Sequence, residues 1–318
     1  MQQRYFSFNK GEMMVARNQL NALHPRKCLF MGLLVLSSLA NAGEGVFGWI
    51  YTLDLQPKGS LEFEQRLQLT TGQANGKYDF WYSRSELEYG LTDDIQVAAY
   101  LNAYSVDAAQ NYLNPEVCGD AVSCTSGYGV PDSANEFDGY GKTGLDGGSL
   151  EGIWRITNPV TQPIGIGIYL EPTLGKLKNA FESRLLVQSN FIDDRLILAG
   201  NLVLENEQLK STGETIPESM IDILLGASYR FAPKWSGGIE YRYHTDYNSY
   251  FWQNQVQTAN FIGPNLHYAD KHWWATLAWR YQLDGQCMGE GTAECSGGNV
   301  WDSHGKNEII AKIGFPFS

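Results

Sequence analysis

The sequence predicts an all-β fold, a transmembrane antiparallel up-and-down β-barrel of about 12 strands with short periplasmic turns and long extracellular loops. Three observations predict it: an export signal near the N-terminus, strand-period alternation along most of the remaining chain, and connections that are short at one strand end and long at the other.

The signal comes first in the chain. Arg26 and Lys27 precede an apolar run over residues 28–39, which ends in Ala40-Asn41-Ala42. A basic start, a short apolar core and an A-x-A exit are the parts of a cleaved secretory signal. The run is shorter than the roughly 20 apolar residues that a membrane-spanning helix needs. The stretch before Arg26 is long for a signal, with Met13 and Met14 as alternative starts. The predicted division is a signal peptide over 1–42, a periplasmic tail over 43–59 and the barrel over 60–318.

Charge and cysteine usage agree with export. The chain carries a net charge of -12, and its first 42 residues hold five Lys/Arg against one Asp/Glu, so the mature part stands near -12 - 4 = -16. That acidity excludes nucleic acid as an expected partner, since binding it needs basic patches. Beyond the signal, Cys118, Cys124, Cys287 and Cys295 form two locally spaced pairs in polar, Gly-rich stretches. Two loop disulfides are expected, because neither pair has C-x-x-C spacing and no His is interleaved.

From Ser60 onward, alternating strands and turns repeat. At the C-terminus, Ile309, Ala311, Ile313, Phe315 and Phe317 share one face, and Glu308, Ile310, Lys312, Gly314 and Pro316 the other. Successive strand side chains point to opposite faces. The aromatic end resembles the terminal strand of Gram-negative outer-membrane proteins, with Ser318 a small departure. Similar alternation runs through residues 61–69, 95–104, 221–231 and 273–282. Short turns fall at 90–94, 158–163, 192–195, 232–234 and 269–272. Longer connections fall at 71–77, 107–144, 173–180, 205–217, 246–257 and 284–304. This asymmetry is that of outer-membrane barrels, and an even strand count returns both termini to one side. Tyr89, Tyr229, Phe231, Trp235, Trp273, Phe315 and Phe317 lie beside the short turns, and Trp81, Tyr243, Tyr281 and Phe181 near the long loops, as two interfacial girdles would.

Residues 43–59 fit less simply. Phe47, Trp49, Tyr51, Leu53 and Leu55 alternate, but a thirteenth strand would separate the termini, and Pro57 and Gly59 break any continuation. A periplasmic tail is the expectation; this tail, or the 107–144 loop, is long enough to fold inward and constrict a path through the lumen.

Tyr51-Thr52-Leu53-Asp54 with Pro57-Lys58-Gly59, then Glu62-Phe63-Glu64-Gln65 and Leu87-Glu88-Tyr89-Gly90-Leu91-Thr92-Asp93, resemble a family of uncharacterised Gram-negative outer-membrane β-barrel proteins. The resemblance implies fold and location and no reaction.

The face opposite the apolar one carries the candidate functional residues. Glu62, Glu64 and Arg66 share a face, as do Arg84, Glu86 and Glu88. Glu151 with Arg155, Glu182 with Arg184, and Glu240 with Arg242 repeat the arrangement, and Glu171, Asp222, Arg230 and Arg280 point the same way. Strands stand about 4.8 Å apart, so these groups can mesh around a lumen wall. They predict either a narrow path for small hydrophilic solutes, lined by charge as pores are, or a closed barrel stiffened by ion pairs. A third reading is a lipid hydrolase using His244 with Asp246, Asn248 and Ser249, although His244 falls in the lumen-facing register and no G-x-S-x-G elbow exists. Residues 139–143 mimic the end of a phosphate-binding loop, but Glu136 stands where the first Gly is required. Asp132, Asn135, Glu136 and Asp138 lack the spacing of a calcium loop. No enzyme activity, cofactor or metal is predicted. The expected partners are outer-membrane lipids and lipopolysaccharide, and the barrel-assembly machinery through the C-terminal strand.

Overall fold

The computed structural model describes residues 45–111, 125–134, 139–211, 213–289, 295–301 and 303–317. Twelve strands close into one antiparallel barrel. They are β1 (Leu61–Thr71), β2 (Lys77–Thr92), β3 (Ile95–Ala109), β4 (Tyr140–Thr157), β5 (Gly165–Gly175), β6 (Lys178–Phe191), β7 (Leu196–Leu209), β8 (Ile216–Ala232), β9 (Trp235–Tyr247), β10 (Gln255–Ala269), β11 (Trp274–Cys287) and β14 (Asn307–Phe317). Each pairs with its chain neighbour among these. The seam is the ladder of β1 on β14, from Leu61 opposite Phe317 to Thr71 opposite Asn307. A two-residue ribbon, β12 (Cys295–Ser296) and β13 (Asn299–Val300), lies in the connection before β14.

The two-residue period explains which side chains are enclosed. In β3, Gln96, Ala98, Tyr100, Asn102, Tyr104 and Val106 are buried, while Val97 and Leu101 are exposed. Around the whole wall the exposed set includes Leu150, Trp154, Ile168, Leu170, Leu185, Leu225, Ile239 and Leu277, and the buried set includes Glu62, Glu86, Glu240 and Arg280. Enclosed carboxylates and guanidiniums beneath an exposed apolar belt invert the pattern of a water-soluble sandwich. The belt is bounded by exposed aromatics: Tyr89, Tyr229, Phe231, Trp235, Trp273, Phe315 and Phe317 at the short-turn end, and Trp81, Phe181 and Tyr281 toward the other.

Strands run from 11 to 18 residues, and 9–11 tilted residues suffice to cross a bilayer. The excess lies at the long-loop end and corrects two sequence boundaries. The connection expected at 173–180 is a tight turn, since Thr173 pairs with Ala180 and Leu174 with Asn179. The connection expected at 205–217 is likewise largely strand, with Glu205 opposite Met220 and Leu209 opposite Ile216. Ladder hydrogen bonds continue past the apolar belt, where the side chains no longer need to be greasy. Residues 139–143, which mimic a phosphate-binding loop in sequence, run into the start of β4. The Cys287–Cys295 disulfide forms, packed near Ala259, Phe261 and Val300. Cys118 and Cys124 lie outside the described residues, as do Asn135, Glu136 and Asp138.

Candidate functional site

The barrel interior is occupied by the chain's own N-terminal segment. Residues 45–57 form no ladder with any strand, so their backbone groups need other partners. Wall side chains supply them. Glu240 accepts from the N–H of Gly48 at 2.6 Å and of Trp49 at 3.0 Å. Asn201 receives the Tyr51 N–H at 2.8 Å and returns a bond to the Tyr51 carbonyl at 2.9 Å. Gln188 accepts from Leu53 N at 2.6 Å, and Gln96 from Gln56 N at 2.9 Å. Because these acceptors sit on β9, β7, β6 and β3, the segment crosses the lumen rather than following one wall.

Its apolar side chains fill two separate places. Phe47 and Ile50 pack with Ala199, Val203 and Leu224; Leu53 and Leu55 pack with Ile153, Tyr169 and Leu186. Glycines of the wall make room for them. A Cβ on Gly226 would lie 2.6 Å from Ile50 Cδ1 and 2.7 Å from Phe47 Cε1, and one on Gly167 would lie 2.5 Å from Leu53 Cδ2. Conversely, a Cβ on Gly48 would meet Ile310 and Ala278. Segment and wall are shaped to each other.

Above the segment, toward the long loops, the charged wall encloses chambers of about 450 and 210 Å³. Trp49 stands in the wall of the smaller one, and Gln68, Tyr82 and Lys178 border both. The residues singled out in sequence fall on this enclosed face. Arg66 pairs with Glu64 at 3.1 Å and approaches Glu86 at 3.6 Å. Arg84 reaches Glu171 on a distant strand at 2.6 Å, with its guanidinium 3.9 Å from the centre of the Tyr100 ring. Tyr100 donates to Glu151 and Tyr169 to Glu171. Arg184 pairs with Glu182 at 2.6 Å and also donates to the Trp49 carbonyl. Arg242 pairs with Asp222 at 2.8 Å. Arg280 pairs with Glu308 and stacks 3.8 Å over Trp49. Glu62 accepts from the Trp274 indole at 2.8 Å, and Glu88 from Gln56.

Some expected pairs do not form. Arg155 turns away from Glu151 to Asp94 and to the Leu53 carbonyl. Glu240 serves the segment rather than Arg242. Arg230 sits at the short-turn rim, donating to the Asp194 carbonyl. Sequence reasoning missed Lys178, which bridges Glu205 and Glu207 at 2.6 Å each, because all three fell within supposed loops. Their two-residue spacing, Glu205 to Glu207, was the available signal.

The hydrolase constellation is not assembled. Ser249 donates to the Gln253 carbonyl. The ring nitrogens of His244 face Asp222 and Asp246, each at 2.6 Å. A base held between two carboxylates and away from the hydroxyl cannot activate it.

Residues 39–317 match a family of unknown function, DUF6662. The chain belongs to this family. No curated protein sequence matches the DUF6662 chain significantly. Among solved structures it is similar to an outer membrane channel from Pseudomonas putida F1, at 12% identity and TM-score 0.50 over 82% of this chain and 96% of that one. It is also similar to the NanC porin, at 10% identity and TM-score 0.45 over 80% and 99%. The KdgM porin gives 10% identity and TM-score 0.41 over 81% and 99%. At such identities the likeness is one of fold: this DUF6662 protein has the architecture of outer-membrane β-barrels.

Proposed function

We propose that the protein is a narrow passive channel for small hydrophilic solutes in the Gram-negative outer membrane, with residues 45–57 as its constriction. The observation that carries this reading is a pair of chambers of about 450 and 210 Å³, each bordered by charged side chains, above a segment that crosses the lumen. A barrel meant only as a scaffold gains more from apolar filling, because burying ion pairs costs desolvation that their attraction offsets only in good geometry. Charged groups on the walls of both chambers, Arg242, Glu207 and Glu308 in the larger and Arg66, Arg84 and Glu171 in the smaller, would lower the barrier for polar solutes. The fold is one that an outer membrane channel uses, although a fold alone assigns no activity.

Export by cleavage near residue 42 would place the segment on the periplasmic side and the long loops outside. The exposed apolar belt suits outer-membrane lipid and lipopolysaccharide, and the aromatic end of β14 suits capture by the barrel-assembly machinery. Planar-bilayer recording of the refolded mature chain tests the channel. Small discrete current steps are expected; their absence from correctly folded protein would leave the closed barrel instead.

A further inference from the structure

We propose that His244, Asp246 and His304 form a site for a divalent transition-metal ion of the zinc class, set in the wall of the larger chamber. His244 and Asp246 project from β9, and His304 reaches in from the connection before β14. One donor atom from each lies within 4.8 Å of the others. Two imidazole nitrogens converge on a single carboxylate oxygen: Asp246 Oδ2 is 2.6 Å from His244 Nε2 and 3.3 Å from His304 Nε2. The rings meet edge to face, with centroids 4.6 Å apart, so both Nε2 atoms can address one point. Two imidazoles and a carboxylate suit zinc and its neighbours, whereas calcium and magnesium favour oxygen donors.

The surroundings hold the donors as an outer ring of ligand partners would. Asp222 Oδ1 lies 2.6 Å from His244 Nδ1, which directs the opposite nitrogen, Nε2, toward a metal. Gln257 donates to Asp246 Oδ2 at 2.8 Å and orients that carboxylate. Arg242 lies on the Nδ1 side of His244, away from the converging nitrogens. Asp222, Asp246 and Glu308 stand against Arg242 and Arg280 in this neighbourhood, so the donors are not set in a cationic surround. All three donors border the chamber, whose space leaves further coordination positions for water or an arriving solute. The ion would pin the β13–β14 connection to the barrel wall. A second carboxylate group, Glu64, Glu86 and Glu88, offers oxygen alone and is already served by Arg66 and Lys312.

The test is Zn²⁺ titration by calorimetry on tag-free, refolded mature protein in detergent, with Co²⁺ as an optical probe of nitrogen and oxygen ligation. One ion per chain is expected. Asp222→Asn should weaken binding by about 10–100-fold, the usual cost of removing an outer partner. His304→Ala leaves every barrel strand intact and removes a ligand outright, so it should cost more than Asp222→Asn does. His272→Ala, on an exposed turn, should change nothing. Heat-modifiable gel mobility verifies that each variant is folded. No stoichiometric binding by the wild type, or equal affinity in folded His304→Ala, overturns the site. Neither result depends on whether the barrel conducts.

Discussion

The docking of the N-terminal segment can be loosened without touching the barrel strands. Leu53 is fully buried among Ile153, Tyr169 and Leu186, with Gly167 shaped around it. Truncating such a leucine to alanine costs about 2–5 kcal/mol. Here that loss falls on the docked state of the segment and leaves the strand ladder untouched. At about 1.4 kcal/mol per factor of ten, Leu53→Ala should raise the population with a released segment by roughly 30- to several thousand-fold. Phe47 occupies a different cluster with no shared side chain, so Phe47→Ala should add its own ~3–5 kcal/mol nearly independently. The assay is hydrogen exchange by mass spectrometry in detergent, comparing amides of Gly48, Trp49, Tyr51 and Leu53 with those of β3 and β8. The segment amides should exchange faster by the stated factors, and the strand amides should not change. Unaltered segment exchange in a folded double variant would refute the packing argument.

Three further outcomes follow from the same geometry. Gly226→Val should expel Phe47 and Ile50, since its Cβ alone would sit within 2.7 Å of both; retained protection of the Gly48 amide would count against the fit. At the short-turn rim, the Lys234 ammonium beside Asp270, with help from the Lys271 N–H, holds that carboxyl down to about 2. Its stabilising contribution is therefore present above the ordinary carboxylate range and lost as pH falls toward 2; carboxyl NMR should show a midpoint there, returning to the ordinary range in Lys234→Ala. Ile192 holds φ +57° in the β6–β7 turn, a conformation that costs a β-branched residue on the order of 1–2 kcal/mol. Ile192→Gly should raise resistance to urea unfolding by about 0.5–1 kcal/mol, and a drop would contradict the assigned strain.

Much of the architecture was legible because a strand's period is two. Ile309 to Phe317 announce an apolar face directly, and Glu182 with Arg184 shows how a pair two residues apart meets on the other. Legibility failed where the physics changes outside the bilayer. Lys178, Glu205 and Glu207 lie on strand ends that no longer need an apolar face, and such polarity has the look of loop. Arg155 fell in the same register as Glu151, yet a long side chain chooses among all partners within reach, and Asp94 and the Leu53 carbonyl were nearer. The alternation of Phe47, Trp49, Tyr51, Leu53 and Leu55 looks like a strand, but it records contacts with opposite sides of an enclosed space. Its hydrogen-bond partners, Glu240, Asn201 and Gln188, lie more than 130 positions away. His304 likewise meets Asp246 across 58 positions from a loop with no metal-binding spacing.

The most direct test compares two refolded chains in the same planar bilayer: the mature protein, and one in which residues 45–57 are replaced by a Gly/Ser stretch of equal length. Such a stretch keeps the connection and removes the side chains of Phe47, Trp49, Ile50, Leu53 and Leu55 from the lumen. Discrete steps are expected in both, several-fold larger in the replaced chain. Steps of equal size would contradict this, because the segment would then not be what narrows the path.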